Sequence, residues 1–230
     1  IAGLRCTAGI IAAHLVSELI ATLILHADAA WSDTTAELGE PAAHWVPTSP
    51  DADRIRAAAD VLRTRRNVTI LVSGHALREP QLNQLSRIAT QTGARLMAQQ
   101  SNARMQRGRG RADIERVPYP IDQALAAFAD IECVILIGAP EPVAFFAYPG
   151  KPGRILPETC QVMKLGEPDH DIVAMIDALA RETGADSTCT PEGTSHAIPD
   201  LPTGPLTPDG IAIAVARSLP ENAVICDESV

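Results

Sequence analysis

The chain has 230 residues, 46% of them apolar and 20% charged, with 19 basic against 28 acidic side chains and a formal net charge of −9. That length and apolar content allow one large domain, or one domain with pieces of its neighbours, and exclude a globally disordered chain. The acidic balance excludes a general nucleic-acid binder and a polybasic membrane-surface protein, and apolar runs such as Cys133 to Ile137 are far too short to span a bilayer.

In chain order, residues 7–17 show helical spacing, with Ile10, Ile11, His14 and Leu15 near one face, and residues 20–25 read as a buried strand. Residues 27–50 are polar, carry Pro41, Pro47 and Pro50, and read as a linker. Asp51 is placed to cap a helix over 52–64, where Ile55, Ala58, Ala59 and Leu62 recur at helical spacing. A strand over 67–74 and a helix over 79–93 follow; Pro80 suits the helix's first turn, Leu82, Leu85 and Ala89 line one face, and Gly93 ends it.

A short strand over 94–98 leads into a polar loop over 99–120. Next come a helix over 121–130, a strand over 132–138, an irregular stretch over 142–157, a strand over 159–166 and a helix over 168–184. Strands that are apolar throughout and alternate with helices predict an α/β fold with a parallel sheet covered on both faces. Residues 185–205 form a second linker. Thr207 then caps a helix over 206–220 whose Ile211, Val215 and Leu219 are expected to face inward, and 223–229 reads as a strand.

The domain division that follows is 1–35, a linker over 36–50, a main unit over 51–184, a linker over 185–205, and 206–230. The chain opens on Ile1 and stops at Val230 just after a strand-like run, so it reads as an interior cut from a longer polypeptide. The opening residues do not read as a secretory signal. Cysteines stand at 6, 133, 160, 189 and 226. The odd count and the lack of a CxxC pair argue against a disulfide framework or a structural zinc, and fit a reducing, cytoplasmic setting.

Ligands of open parallel sheets sit at the carboxyl ends of the strands. Here those ends are Ser73-Gly74-His75, Gly138-Ala139-Pro140 and Gly166-Glu167. Neither a GxGxxG nor a GxxxxGK[ST] pattern follows them, so the glycines read first as strand-to-helix turns.

Arg104, Arg107, Arg109, Arg111 and Arg116, with Gly108 and Gly110, form the strongest local positive charge. Guanidinium groups in such a loop could clamp a phosphate. The plainer reading is a solvated loop, or one packed against acidic residues of a partner. Asp169-His170-Asp171 reads as helix capping and dipole matching, since three adjacent residues point different ways and cannot share one ion easily. His75 reads as a turn histidine, and Cys133 and Cys226 as buried small hydrophobes. No GxSxG elbow is present. Asp227, Glu228 and Ser229 end the last strand, at an edge that commonly meets a cofactor but is equally a solvated strand end.

Three stretches together resemble a known family: ARLMAQQSNARMQRGRGRADIERVPYPIDQALA, VAFFAYPGKP and LTPDGIAIAVARSLPENAVICDES. They are similar to the thiamine diphosphate-dependent enzymes, in particular the acetolactate synthase large subunit-like group. ATLILHADAAW (21–31) resembles the end of that family's pyrimidine-binding domain, although the family usually shows Pro where His26 stands. The resemblance implies that 1–35 closes that first domain, 51–184 is a central domain with a doubly wound, Rossmann-like sheet of six parallel strands, and 206–230 opens the diphosphate-binding domain. It implies thiamine diphosphate and Mg²⁺ as cofactors of the parent enzyme, a 2-oxo acid substrate, and a homodimer or homotetramer.

The family's activating glutamate and its GDG…N magnesium motif have no counterpart here, so no catalytic and no metal-ligating residue is assigned. Only Asp227, Glu228 and Ser229 match a stretch that approaches the cofactor. Some relatives hold FAD in the central domain; the missing glycine fingerprint points to an empty one here. The isolated chain is therefore expected to be catalytically incomplete. The alternative is a stand-alone FAD- or NAD-binding or regulatory module, and a third role, as a scaffold joining two catalytic domains, is compatible with the first.

Overall fold

The computed structural model describes residues 2–6, 9–13, 27, 31, 33, 46–185, 193 and 197–226. Strands β1 (Ala2–Cys6) and β2 (Gly9–Ala13) pair antiparallel, from Ala2 opposite Ala13 to Cys6 opposite Gly9. This corrects the helix expected over 7–17. The β-branched pair Ile10-Ile11 suits a strand, and the partner Ala2–Cys6 supplies ladder hydrogen bonds between chain segments, which helical spacing cannot foresee. The strand expected over 20–25 lies outside the described residues.

The main unit opens with α1 (Ala52–Thr64), whose first turn is capped by Asp51: its Oδ1 accepts from the amides of Asp53 and Arg54 at 2.9 and 3.2 Å. Strand β3 (Val68–Val72) follows, then a 3₁₀ turn (Gly74–Leu77) and α2 (Glu79–Thr92), which ends on Gly93 at φ 73°. Next come β4 (Arg95–Ala98), β5 (Glu115–Arg116), α3 (Ile121–Ala127), β6 (Cys133–Ile137), β7 (Gln161–Gly166) and α4 (Ile172–Thr183). Helix α5 (Pro208–Ser218) lies beyond, with Thr207 as its cap.

Two helices are shorter than their sequence periodicity implies. Helix α3 stops at Phe128, which leaves the helical conformation, and α4 begins only after Asp171, with Pro168 to His170 forming a turn. Strand β5 is unforeseen: two exposed polar residues carry no hydrophobic pattern and become a strand only by bonding to β4.

The sheet order is β5-β4-β3-β6-β7, and each neighbouring pair is parallel. It has five strands among the described residues, where the resemblance implied six. From β3 the chain steps outward to β4 and β5, then returns across to β6 and steps outward to β7. The direction of winding thus reverses between β3 and β6.

Every residue of β3 and β6 is buried, and the two-residue period of a strand then sorts their side chains between two cores. Val68, Ile70, Val72, Cys133, Ile135 and Ile137 pack under α1, α2 and α4. Leu71, Val134 and Leu136 pack on the other face, under α3, Phe128 and the 139–160 segment.

Thr69 is fully buried, and its hydroxyl has no hydrogen-bond partner among the described residues. A buried hydroxyl without a partner costs free energy that a methyl does not. Thr69→Val is expected to raise stability by about 1 kcal/mol in urea unfolding; a loss of stability would show that the hydroxyl is satisfied.

Helix α5 departs from expectation. Ile211 and Val215 are 48% and 47% exposed instead of facing inward. Only Gly210 of this helix is buried. Residues 223–226, expected as a strand, have no regular structure, and Cys226 is exposed instead of buried. A strand needs a neighbour to bond with, and the described residues offer this stretch none.

Candidate functional site

The winding reverses between β3 and β6, and the crevice outside the carboxyl ends of strands at such a reversal is where open parallel sheets receive ligands. Ser73 follows β3 and Gly138 follows β6. The Ser73 amide donates to Ile137 O at 3.2 Å, and the Gly138 amide donates to Gly166 O at 2.7 Å. Ser73 Oγ donates to Asn102 Oδ1 at 2.9 Å, and Asn102 Nδ2 donates to Gln99 O at 2.5 Å. Gln99 holds the two sides together: its amide donates to Val72 O at 2.9 Å and its Nε2 to Pro140 O at 2.8 Å.

Gly138 has φ 62°, and a Cβ there would lie 3.0 Å from Ser73 O. The backbones of the two strand exits approach this closely only because Gly138 has no side chain. The crevice is thus lined by neutral amide and hydroxyl groups that bond to one another. Among the described residues the Ser73 hydroxyl donates to the Asn102 amide oxygen and to no base. As these described residues stand, the crevice is chemically a platform, and its serine is not activated as a nucleophile.

His75 is exposed within the 3₁₀ turn, as a turn histidine should be, while Ala76 and Leu77 of the same turn are buried. The Asp169-His170-Asp171 stretch divides its labour. Asp171 Oδ1 caps α4 by accepting from the Ala174 amide at 3.0 Å. His170 Nδ1 accepts from the Glu167 amide at 3.3 Å, while its Nε2 lies 3.7 Å from Asp169 Oδ1. No group of three or more His, Cys, Asp or Glu residues able to hold a metal ion occurs among the described residues.

Cys133 and Cys160 are both buried, and burial pushes both thiols up from their ordinary values. They stay protonated near neutral pH and serve as small hydrophobes.

The arginine segment does not form one phosphate clamp. Arg104, Arg107 and Arg109 lie exposed on the loop and Arg116 lies in β5. Arg111 turns inward to Glu79, with Nε 3.0 Å from Oε2. The acidic partner is therefore within the chain itself, at the start of α2. Sequence reasoning missed this contact, because no local pattern links Glu79 to Arg111. At the opposite, amino end of β4 an open groove of about 480 Å³ is lined by Ser86, Thr90, Arg95, Asp113 and Glu115. Arg95 there is paired with Glu115 at 2.7 Å, so the groove offers no unbalanced cation.

Sequence reasoning also missed an aromatic cluster. Tyr119, Phe145, Phe146 and Tyr148 contact one another in series, with ring centroids 5.4, 4.8 and 5.9 Å apart, and Phe145 and Phe146 are 55% and 56% exposed. The adjacent residues Phe145-Phe146 were its one sequence signal.

Asp227, Glu228 and Ser229 lie outside the described residues. The described residues contain no set of groups suited to a diphosphate with its divalent cation, so no chemical step is routed through that cofactor here. No described helix is long and apolar enough to cross a membrane.

Comparison with known proteins extends the picture. No family model matches the chain. Over 221 residues, 95% of its length, it is 38% identical to the provisionally named acetolactate synthase large subunit IlvX of Mycobacterium tuberculosis, of which it spans 41%. A solved structure of a provisionally assigned thiamin diphosphate-dependent enzyme from Mycobacterium smegmatis shares its fold, with a TM-score of 0.52 and 21% identity over 80% of this chain and 39% of that one. Benzoylformate decarboxylase from Polynucleobacter necessarius aligns with a TM-score of 0.49 and 14% identity, over 84% of this chain and 39% of that one. Over nearly its whole length the chain is related to the acetolactate synthase large subunit-like group of thiamine diphosphate-dependent enzymes, as a stretch equal to 41% of one such protein.

Proposed function

We propose that this chain is the platform portion of a thiamine diphosphate-dependent 2-oxo acid lyase or synthase, and that it carries no catalytic residue of its own. The observation that carries this reading is the relation over 95% of the chain to only 41% of the relative. The crevice supports it, since Ser73, Asn102 and Gln99 are engaged with one another there.

In this reading 1–35 closes a pyrimidine-binding domain, 36–50 and 185–205 are linkers, 51–184 is a Rossmann-like central domain with a sixth strand beyond the five described, and 206–230 opens the diphosphate-binding domain. Asp227, Glu228 and Ser229 approach the cofactor from that last piece, and Mg²⁺ is held elsewhere in the parent. The parent is a cytoplasmic homodimer or homotetramer acting on a 2-oxo acid. The central domain does without FAD, because Ser73, Asn102 and Gln99 already bond across the crevice where a nucleotide would lie.

The chain's own contribution is positional. The central strands β3 and β6 are buried on both faces, and their exits hold loops at set distances from one another.

The test is to titrate the purified chain calorimetrically with thiamine diphosphate plus Mg²⁺, with FAD and with NAD, and to assay it with pyruvate. No binding and no turnover are expected, while the same stretch within the longer product of its gene turns over a 2-oxo acid. Turnover of pyruvate by the 230 residues alone would overturn the proposal. Tight binding of FAD or NAD would replace it with the nucleotide-binding module, the reading favoured by the reversal of winding at β3 and β6.

A further inference from the structure

Three stretches far apart in sequence meet at one arginine. Arg111 stands in the loop between β4 and β5, with its side chain 25% exposed. Its Nε donates to Glu79 Oε2 at 3.0 Å, and its Nη2 donates to Asn222 Oδ1 at 3.3 Å. Glu221 Oε1 lies 3.9 Å from the same Nη2. The next residue, Ala112, forms an antiparallel bridge with Gly193, where a Cβ would come 3.2 Å from Arg111 O.

The loop is itself tied down. The Gln106 amide donates to Leu77 O at 3.0 Å, and Gln106 Oε1 accepts from the Glu79 amide at 2.6 Å. Glu79 is therefore fixed to the loop by backbone and side chain together.

Asn222 adds a second, independent sign. It is one of two described non-glycine residues with positive φ, at 60°. Asparagine tolerates that conformation better than most residues, but it still carries a cost that surrounding contacts must offset. Its side-chain oxygen is held by Arg111. Glu221 is 75% exposed and more distant, so its pairing contributes little.

We infer that Arg111 is a positioning residue: its guanidinium joins the start of α2 to the 221–222 turn and so sets where the stretch 223–226 departs from the carboxyl side of the sheet. The chemistry explains why an arginine stands here. Nε and Nη2 lie on one edge of a rigid plane and serve two acceptors on two segments at once, which a lysine ammonium on a flexible stem does poorly. The Glu79 carboxylate also raises the guanidinium's proton affinity, first through the hydrogen bond and then through its charge. In sequence the stretch 223–226 leads on to Asp227, Glu228 and Ser229, so the same contact bears on the parent's affinity for its cofactor. That last clause rests on the function proposed above.

Hydrogen exchange with peptide-level readout, on the 230-residue chain, tests the contact. In Arg111→Ala and Arg111→Lys, peptides within 206–226 are expected to exchange about tenfold faster, with peptides of β3 and β6 unchanged. Asn222→Asp keeps both the tolerance for positive φ and an acceptor, so it retains protection. Asn222→Gly keeps only the tolerance, and loosens the segment as Arg111→Ala does. The double variant R111A/N222G is no looser than R111A alone, because one contact is lost in both. Unchanged exchange over 206–226 in R111A, or an N222D as loose as N222G, overturns the inference.

In the longer gene product, R111A is expected to raise the KM for thiamine diphosphate about tenfold while kcat holds. An unmoved KM overturns the extension to the cofactor. A wild-type longer product without activity counts against the proposed function, and is read separately from the exchange result.

Discussion

Phe128→Ala is expected to lower the unfolding free energy of this chain by about 3–5 kcal/mol. Phe128 is fully buried, and it stands first among the largest buried side chains. It lies where α3 ends, in the core that also contains Leu71, Met97, Ile121, Ala124 and Leu136. That face of the sheet is covered by one seven-residue helix and by the 139–160 segment, which has no helix. This irregular cover is tied to the rest of the fold by bonds such as Gln99 Nε2 on Pro140 O at 2.8 Å, so it cannot shift freely to refill the hole left by the ring.

Whole domains have net stabilities of only about 5–15 kcal/mol, so this one change removes a large share. Urea unfolding followed by far-ultraviolet circular dichroism measures it, as a lower midpoint at constant slope. Phe145→Ala is the companion measurement. That ring is 55% exposed, and its loss is expected to change stability by less than about 1 kcal/mol. Equal effects from the two variants would show that the second core is not packed around Phe128 as described.

Gly138→Ala is expected to cost about 3 kcal/mol, from two additive causes. The residue has φ 62°, where a side chain is strained whatever the space around it, and a Cβ would also stand 3.0 Å from the Ser73 carbonyl oxygen. That oxygen is backbone and cannot swing away, because the Ser73 amide is bonded to Ile137 O. Gly93→Ala separates the causes. Gly93 has a similar φ of 73° but nothing within 4 Å of its notional Cβ. It is expected to cost about 1 kcal/mol, the backbone term alone. The excess at Gly138 measures how closely the two strand exits approach. Thermal or urea unfolding of both variants decides it, and equal costs would refute the close approach.

Individual residues show which features could be read in advance. Asp51, standing before Ile55, Ala58, Ala59 and Leu62, specifies where α1 begins, because its carboxylate needs only amides two and three residues away. Thr207 and Asp171 act in the same local way. Gly93 and Gly184 end their helices because both stand at positive φ. The strands β3 and β6 were recognisable as buried on both faces from uninterrupted apolar residues. By contrast, Ile10 and Ile11 suit a helix face and a strand equally, and only the pairing with Ala2–Cys6 decides between them. Ile211 and Val215 carry the spacing of a buried face, yet spacing records only the need for cover, and among the described residues they remain exposed.

The candidate site divides in the same manner. The glycines at the strand exits were legible as turns, and the triplet Asp169-His170-Asp171 as a cap, since both are local arrangements. The contact of Arg111 with Glu79 and Asn222 spans 32 and 111 residues of sequence, and no local rule reaches that far.

By itself, then, the amino-acid order determined the helix caps, the alternation of buried strands with amphipathic helices, and the likeness to the acetolactate synthase large subunit-like group, for these depend on near neighbours and on runs of residue type. The tertiary structure alone decided the strand order β5-β4-β3-β6-β7, the closing of the crevice by Ser73, Asn102 and Gln99, and the turning of Arg111 inward onto the Glu79 carboxylate. These are pairings between distant segments, and their free energy exists only once the chain has paid the entropy of bringing those segments together.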